Sequence, residues 1–256
     1  METQLFPTLL YAWLGLAGAV FVLLFAVSAP YGRHGRSGWG PQINRTVGWV
    51  VMEAPASLLM ALLFALGQRQ SSVVAVIFLC LWQLHYIHRA FLFPFRLRGG
   101  NKRMPLLIAL FAIFFNTGNA YFNGRYLFAL GPEYPAAWLH DPRFITGALL
   151  FVAGFAINLH SDELLLRLRR SGGRVSGGDY QIPRGGGFEL VSCPNYLGEL
   201  IEWSGWALAT YSLAGLSFTA WTAANLVPRA WTHHRWYQQQ FREYPKERKA
   251  LIPRVW

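Results

Sequence analysis

The chain has 256 residues, of which 54% are apolar and only 14% charged, with a net charge of +11. Soluble domains carry roughly 25% charged residues, so this composition excludes an ordinary soluble protein. The basic excess sits between apolar runs rather than on a soluble face, which points away from nucleic acid and toward a membrane surface. Cys80 and Cys193 lie in or beside apolar runs and read as small packed residues.

In chain order, hydrophobic windows predict seven membrane spans over 6–28, 46–66, 72–95, 105–130, 143–166, 190–211 and 213–237. Each approaches the roughly 20 apolar residues that a helix needs to cross a hydrocarbon core. The first run has no Lys or Arg before it, and Pro30 follows the only small-residue cleavage site, so it is read as a retained span. A very short turn near Ser212–Gly215 joins the last two. The expected fold is an all-α integral membrane protein built as a single domain, with spans 1–4 in residues 1–130 and spans 5–7 in residues 131–256.

Basic residues crowd the first, third and fifth loops and the tail; only Arg69, Arg89, Arg125 and Arg143 lie elsewhere. By the positive-inside rule this puts the amino terminus outside and the carboxyl terminus in the cytosol.

Ionisable groups at membrane depth are costly and are functional candidates by default. Glu53 lies in the second span; His85, Tyr86, His88 and Arg89 lie in the third. Asn195, Glu199 and Glu202 follow i, i+4, i+7 spacing in the sixth, and Arg229, His233 and Tyr237 follow i, i+4, i+8 in the seventh. Each set shares one helix face. Hydrogen bonding between neighbouring spans is the alternative use of such groups; polar groups converging from four spans favour a bound polar ligand. Arginines among Asn, His and Tyr suit phosphates. There is no P-loop and no G-x-G-x-x-G opening a helix after a strand, and the glycines at 172–187 are weak evidence alone. Without a Cys pair or H-E-x-x-H beside His85/His88 or His233/His234, no metal is expected.

Several stretches carry a resemblance: MEAP at 52–55, QLHYIHRAFLFPF at 83–95 and INLHSDELLLRLRR at 157–170. DYQIPRGGGFELVSCPNYLGELIEWSGWALAT at 179–210 and PRAWTHHRWYQQQFREYPKERKALIPRVW at 228–256 complete the set. Together they resemble the steroid 5α-reductase family over nearly the whole chain. The resemblance implies NADPH-dependent reduction of the Δ4 double bond of a 3-oxosteroid, testosterone-like or progesterone-like. Glu53 and Tyr86 would be the catalytic pair polarising the 3-oxo group, and hydride would go to carbon 5. It further implies that Asn158, Asp162, Arg169, Tyr180, Asn195, Glu199, Arg229, His233 and Tyr237 line the cofactor, with Lys102 and Arg103 helping to cover it. Arg89, Phe93 and Trp203 would shape the steroid pocket. Phe93 stands where mammalian members tend to have Tyr, and the loop at 171–178 is longer and richer in glycine, which leaves the preferred steroid open.

The related membrane reductases of enoyl-CoA thioesters or polyprenols are the alternative; Glu53 with Tyr86 favours the steroid branch. A membrane methyltransferase would carry paired glutamates where His233 and His234 stand. A seven-span receptor or transporter would not crowd its polar groups toward one side. The expected partners are a steroid or sterol-like lipid, NADPH and membrane lipid, with no nucleic acid; a monomer is expected. The location is a multi-pass membrane site, the inner membrane for a bacterial homologue or the endoplasmic reticulum for a eukaryotic one.

Overall fold

A computed structural model of the chain describes residues 1–27, 34–35, 38–97, 102–170 and 180–256, the side chains of 169 and 170 excepted. Seven long helices run through the described residues: α1 (Glu2–Ala26), α2 (Arg45–Ala65), α3 (Val73–Arg96), α4 (Leu106–Leu130), α5 (Pro142–Arg170), α6 (Pro194–Thr210) and α7 (Leu213–Gln240). Their limits fall within a few residues of the expected spans, because the thickness of a bilayer dictates how long an apolar run must be. Helices α1 to α4, and α5 over Pro142–Leu168, are long and apolar enough to cross a membrane, which makes this a multi-pass membrane protein. Helix α6 is short at 17 residues, and α7 carries Arg229, His233, His234 and Arg235 along its second half.

Helices α5 and α6 meet backbone to backbone. A Cβ on Gly154 would lie 2.3 Å from the Glu202 nitrogen, and one on Gly147 would lie 2.4 Å from that of Ala209. From the other side, Gly198 and Gly205 press equally closely on Asn158 and Gly147. Without a hydrophobic drive between helices in lipid, small residues are what allow such close association. The seam fixes α5 against α6 at the level of their polar residues.

Helix α1 packs along Phe6, Leu10, Trp13 and Ala17, mainly against α7 and α4. The Trp13 ring lies 4.5 Å from that of Trp221, and the Trp221 Nε1 donates to the Trp13 carbonyl. Helix α3 anchors to α2 through Trp82, whose Nε1 donates to the Ala56 carbonyl at 3.0 Å. The turn between α6 and α7 is where the sequence places it. Tyr211 is left-handed (φ 41°), and the Ser212 hydroxyl accepts from the Gly215 nitrogen.

Two features go beyond the expected helices. A short antiparallel ribbon pairs β1 (Gln42–Asn44) with β2 (Arg103–Pro105), Ile43 opposite Met104, and ties the first loop to the third. Asn44 ends β1 and caps α2, its Oδ1 accepting from Thr46 and Val47 nitrogens. In addition, α3 relaxes into a π-helical turn over His88–Leu92, and α4 ends in another over Tyr126–Leu130. Such turns are rare and cluster at functional sites.

The terminal turn of α4 is held by Arg69, which follows α2. Its guanidinium donates to the carbonyls of Leu127 (2.7 Å), Pro132 (3.2 Å) and Gly131, with longer contacts to Tyr126 and Ala129. Helix C-terminal carbonyls have no partner within the helix and carry partial negative charge. Outside the spans, Asp141 accepts from the nitrogen and guanidinium of Arg143 at the start of α5. That hydrogen bonding holds the Asp141 carboxyl down to about 2. Arg69→Ala leaves the α4 carbonyls without this cation, with an expected loss of about 1.5–3 kcal/mol. Thermal melting in detergent should show a fall of several degrees, only partly restored in Arg69→Lys; an unchanged melting temperature would dismiss the role.

Candidate active site

A cavity of about 1400 Å³ is lined by residues from all seven helices. Its wall divides by chemistry. Helices α1 and α4 contribute Leu16, Val20, Leu23, Leu24, Ile108, Phe111, Phe114 and Phe115, with Asn116 as the one amide among them. The remaining helices and the third and fifth loops bring the polar and cationic groups. Glu53, Tyr86, Arg89, Phe93, Lys102, Arg103, Asp162, Tyr180, Asn195, Glu199, Arg229, His233 and Tyr237 all face this one space. The α7 stripe and the first two members of the α6 stripe, Asn195 and Glu199, therefore converge here, whereas Glu202 turns away from the cavity.

At the boundary between the two walls, Asn116 joins the pair singled out from sequence. The Tyr86 hydroxyl donates to its Oδ1 at 3.2 Å, and its Nδ2 donates to Glu53 Oε2 at 3.1 Å. Arg89, set in the π turn of α3, stands between two carboxylates, 3.9 Å from Glu53 and 3.6 Å from Asp162. Its guanidinium lies over the rings of Trp49 and Phe93. Phe93 thus faces the cavity while also supporting Arg89.

From Asp162 the polar chain crosses the glycine seam. Asn195 donates to Asp162 Oδ1 at 3.0 Å, and Asn158 donates to the Asn195 carbonyl at 3.0 Å and to Glu199 at 3.5 Å. Asn158 is buried one layer behind the cavity wall, so it orients Asn195 and Glu199 rather than facing the space itself. Further along α7, Arg229 Nε donates to the Tyr196 hydroxyl oxygen at 3.0 Å. That hydroxyl lies 3.2 Å from His233 Nε2, and His233 Nδ1 lies 2.9 Å from Nε2 of His34. A guanidinium can only donate, so the Tyr196 proton is available to His233 Nε2. A neutral His233 then carries its own proton on Nδ1, toward His34.

Two residues expected to line the ligand space stand behind its wall, Asn158 and Trp203. Trp203 does not line the cavity: it is buried with its ring 4.1 Å from Phe218 and 4.8 Å from His85, backing the wall behind Tyr86. The side chain of Arg169 lies outside the described residues, as do Arg33, Arg36, Arg98, Arg174 and the glycines at 172–178. Sequence reasoning missed Asn116, Tyr196 and His34. Asn116 had a signal, since Asn116, Asn119 and Asn123 fall at i, i+3, i+7 in an otherwise apolar span.

Behind Tyr86, His85 Nδ1 and Glu202 Oε1 are 2.8 Å apart, and both residues are buried. The second Glu202 oxygen has no hydrogen-bond partner among the described residues. Breaking such a pair from one side costs about 3–5 kcal/mol, because the other group stays buried and unsatisfied. Glu202→Ala should therefore yield little folded protein by size-exclusion chromatography, whereas Glu202→Gln, which still bonds His85, should fold. Equal yields of the two would remove the pair from the list of stabilising contacts.

Comparison with known proteins gives a consistent result. A family model described as 3-oxo-5-alpha-steroid 4-dehydrogenase matches residues 102–256. A steroid 5-alpha-reductase DET2 of Arabidopsis thaliana is 42% identical, over 92% of this chain and 90% of the relative. The 3-oxo-5-alpha-steroid 4-dehydrogenase 1 of Bos taurus is 42% identical over 98% of this chain and 97% of its own length. The protein of the same name from Homo sapiens is 40% identical over 98% and 96%.

Proposed function

The chain belongs to the 3-oxo-5-alpha-steroid 4-dehydrogenase family, the steroid 5α-reductases, and we propose that it reduces the Δ4 double bond of a 3-oxosteroid with NADPH. It is an oxidoreductase acting on CH–CH groups. The observation that carries the specific reading is the meeting of Glu53 and Tyr86 on Asn116, where the apolar wall gives way to the polar one.

Size supports two occupants. Pockets for one small ligand run to roughly 300–1,000 Å³, and this cavity is about 1400 Å³. The apolar side from α1 and α4 suits fused hydrocarbon rings. The other side has a donor set that fits a dinucleotide phosphate: Arg229, His233, Lys102 and Arg103 would bind phosphates, with Arg169 joining them from the end of α5. Asn195 and Glu199, oriented by Asn158 and Asp162, would hold the nicotinamide and ribose end, and Tyr180 and Tyr237 would flank the cofactor. When bound, NADPH supplies a hydride, destined for carbon 5.

The protein's own contribution lies at the carbonyl. The Tyr86 hydroxyl and the Glu53 carboxyl would hydrogen-bond the 3-oxo oxygen and stabilise the enolate charge that develops there. Arg89 keeps Glu53 in place against Asp162, and Phe93 closes the wall beside it. Carbon 4 would take its proton from solvent. In this reading α6 and α7 also cross the bilayer, giving seven spans with the amino terminus outside and the basic carboxyl terminus in the cytosol, and the protein acts as a monomer.

Purified protein in detergent should consume NADPH with testosterone or progesterone and yield a product two mass units heavier. Glu53→Gln and Tyr86→Phe should each lower turnover by about 10²–10⁴-fold, the usual contribution of a positioned acid. Both should keep NADPH affinity within a few-fold by equilibrium titration. Wild-type turnover in either variant would strip that residue of its role. Activity with an enoyl-CoA alone would move the chain to the neighbouring reductase branch.

A further inference from the structure

Helix α4 presents three buried asparagines on one face, and they do different things. Asn119 accepts from the Trp13 ring nitrogen, and Asn123 accepts from that of Trp206 while donating to the Ala214 carbonyl. Both tie α4 to neighbouring helices. Asn116 makes its side-chain contacts instead to Glu53, Tyr86 and the Met52 carbonyl.

Chemistry fixes which way its amide points. The Met52 carbonyl can only accept, so the amide nitrogen must face it, at 2.7 Å. The second hydrogen of that nitrogen goes to Glu53 Oε2. The amide oxygen is then left for Tyr86, whose hydroxyl has to donate. Both amide hydrogens and one oxygen lone pair are used, and the amide cannot be reversed without setting its oxygen against the Met52 carbonyl. On Glu53 the amide thereby engages Oε2, while Oε1 is the oxygen on the Arg89 side, 3.9 Å from Nε.

Resting on the reading above, we infer that Asn116 is a positioning residue that sets the direction of both hydrogen bonds before the substrate arrives. Tyr86 waits with its one proton on Asn116 Oδ1, and Glu53 waits between the amide at Oε2 and Arg89 at Oε1. A carbonyl reaching this point meets a hydroxyl and a carboxyl already in place, and takes the Tyr86 proton over from the amide oxygen. Without Asn116 neither group is held, and the arrangement becomes one of several.

The test compares Asn116→Ala, Asn116→Asp and, as a structural control, Asn119→Ala in the full-length protein in detergent. The ionisable groups around the site are Glu53 on α2, His85, Tyr86 and Arg89 on α3, Asp162 on α5 and Glu199 on α6, with Glu202 behind Tyr86. All are shared by the variants, so a new pH dependence reports position 116. Asn116→Ala should lower kcat for a 3-oxosteroid by about 10–100-fold, in line with the cost of misplaced reacting groups. Its NADPH affinity should stay near wild type, and its melting temperature should fall no further than that of Asn119→Ala. Ionised Asp offers only acceptors and cannot reproduce the amide, whereas protonated Asp restores one donor and one acceptor. Asn116→Asp should therefore gain activity as pH falls, with an acid limb that wild type lacks. Asn119→Ala should lose melting temperature while its remaining folded fraction keeps kcat.

Wild-type kcat in both Asn116 variants would overturn the inference, as would a parallel fall of melting temperature, NADPH affinity and kcat in Asn116→Ala. A wild-type protein that neither binds nor reduces a 3-oxosteroid would instead remove the reading on which the inference rests, and the inference with it.

Discussion

The close approach of α5 to α6 is the constraint on which the site depends. Four glycines, Gly147 and Gly154 on one helix and Gly198 and Gly205 on the other, let the backbones touch where any Cβ would collide with a main-chain atom. In lipid there is little to be gained by burying one apolar side chain against another, so van der Waals contact between bare backbones has to hold the pair. That contact sets the level at which Asn158 and Asp162 face Asn195 and Glu199. Shifting either helix by one turn would separate these partners.

A second constraint follows from the medium. A polar group left unpaired at membrane depth costs several kcal/mol, so the polar residues here form a continuous chain. It runs from Tyr86 and Asn116 through Glu53, Arg89 and Asp162 to Asn195, Asn158 and Glu199. Aromatic side chains back it, with Trp203 and Phe218 behind Tyr86 and Trp49 and Phe93 against Arg89. The functional wall and the structural glue are thus made from the same residue types, and what separates them is whether a group faces the cavity.

That distinction explains what could be read from the sequence. Helix limits were legible because hydrocarbon thickness imposes a length, and Asn195 with Glu199 and Arg229–His233–Tyr237 because helical periodicity puts each set on one face. Asn116 escaped a search led by charge, since a neutral amide does not interrupt an apolar run as Glu53 does. The π turns and the β1–β2 ribbon were invisible for another reason: they depend on neighbours distant in sequence, not on local propensity. Trp203 shows the converse. Its place among polar residues suggested a pocket, but its ring turns into the core. Arg69, a cation on the sparsely charged side, makes sense once the α4 carbonyls it caps are seen.

The β1–β2 ribbon bears on how such a chain is assembled. Its strands are roughly sixty residues apart, and Lys102 and Arg103 sit at the second strand, where the Lys102 carbonyl also receives the Arg45 nitrogen. Nothing local can form this pairing: α2 and α3 must already be laid down as a hairpin before the two segments meet. The latch therefore cannot close until α3 and β2 have been made, and a nascent chain halted before residue 103 would have its first and third loops still untied.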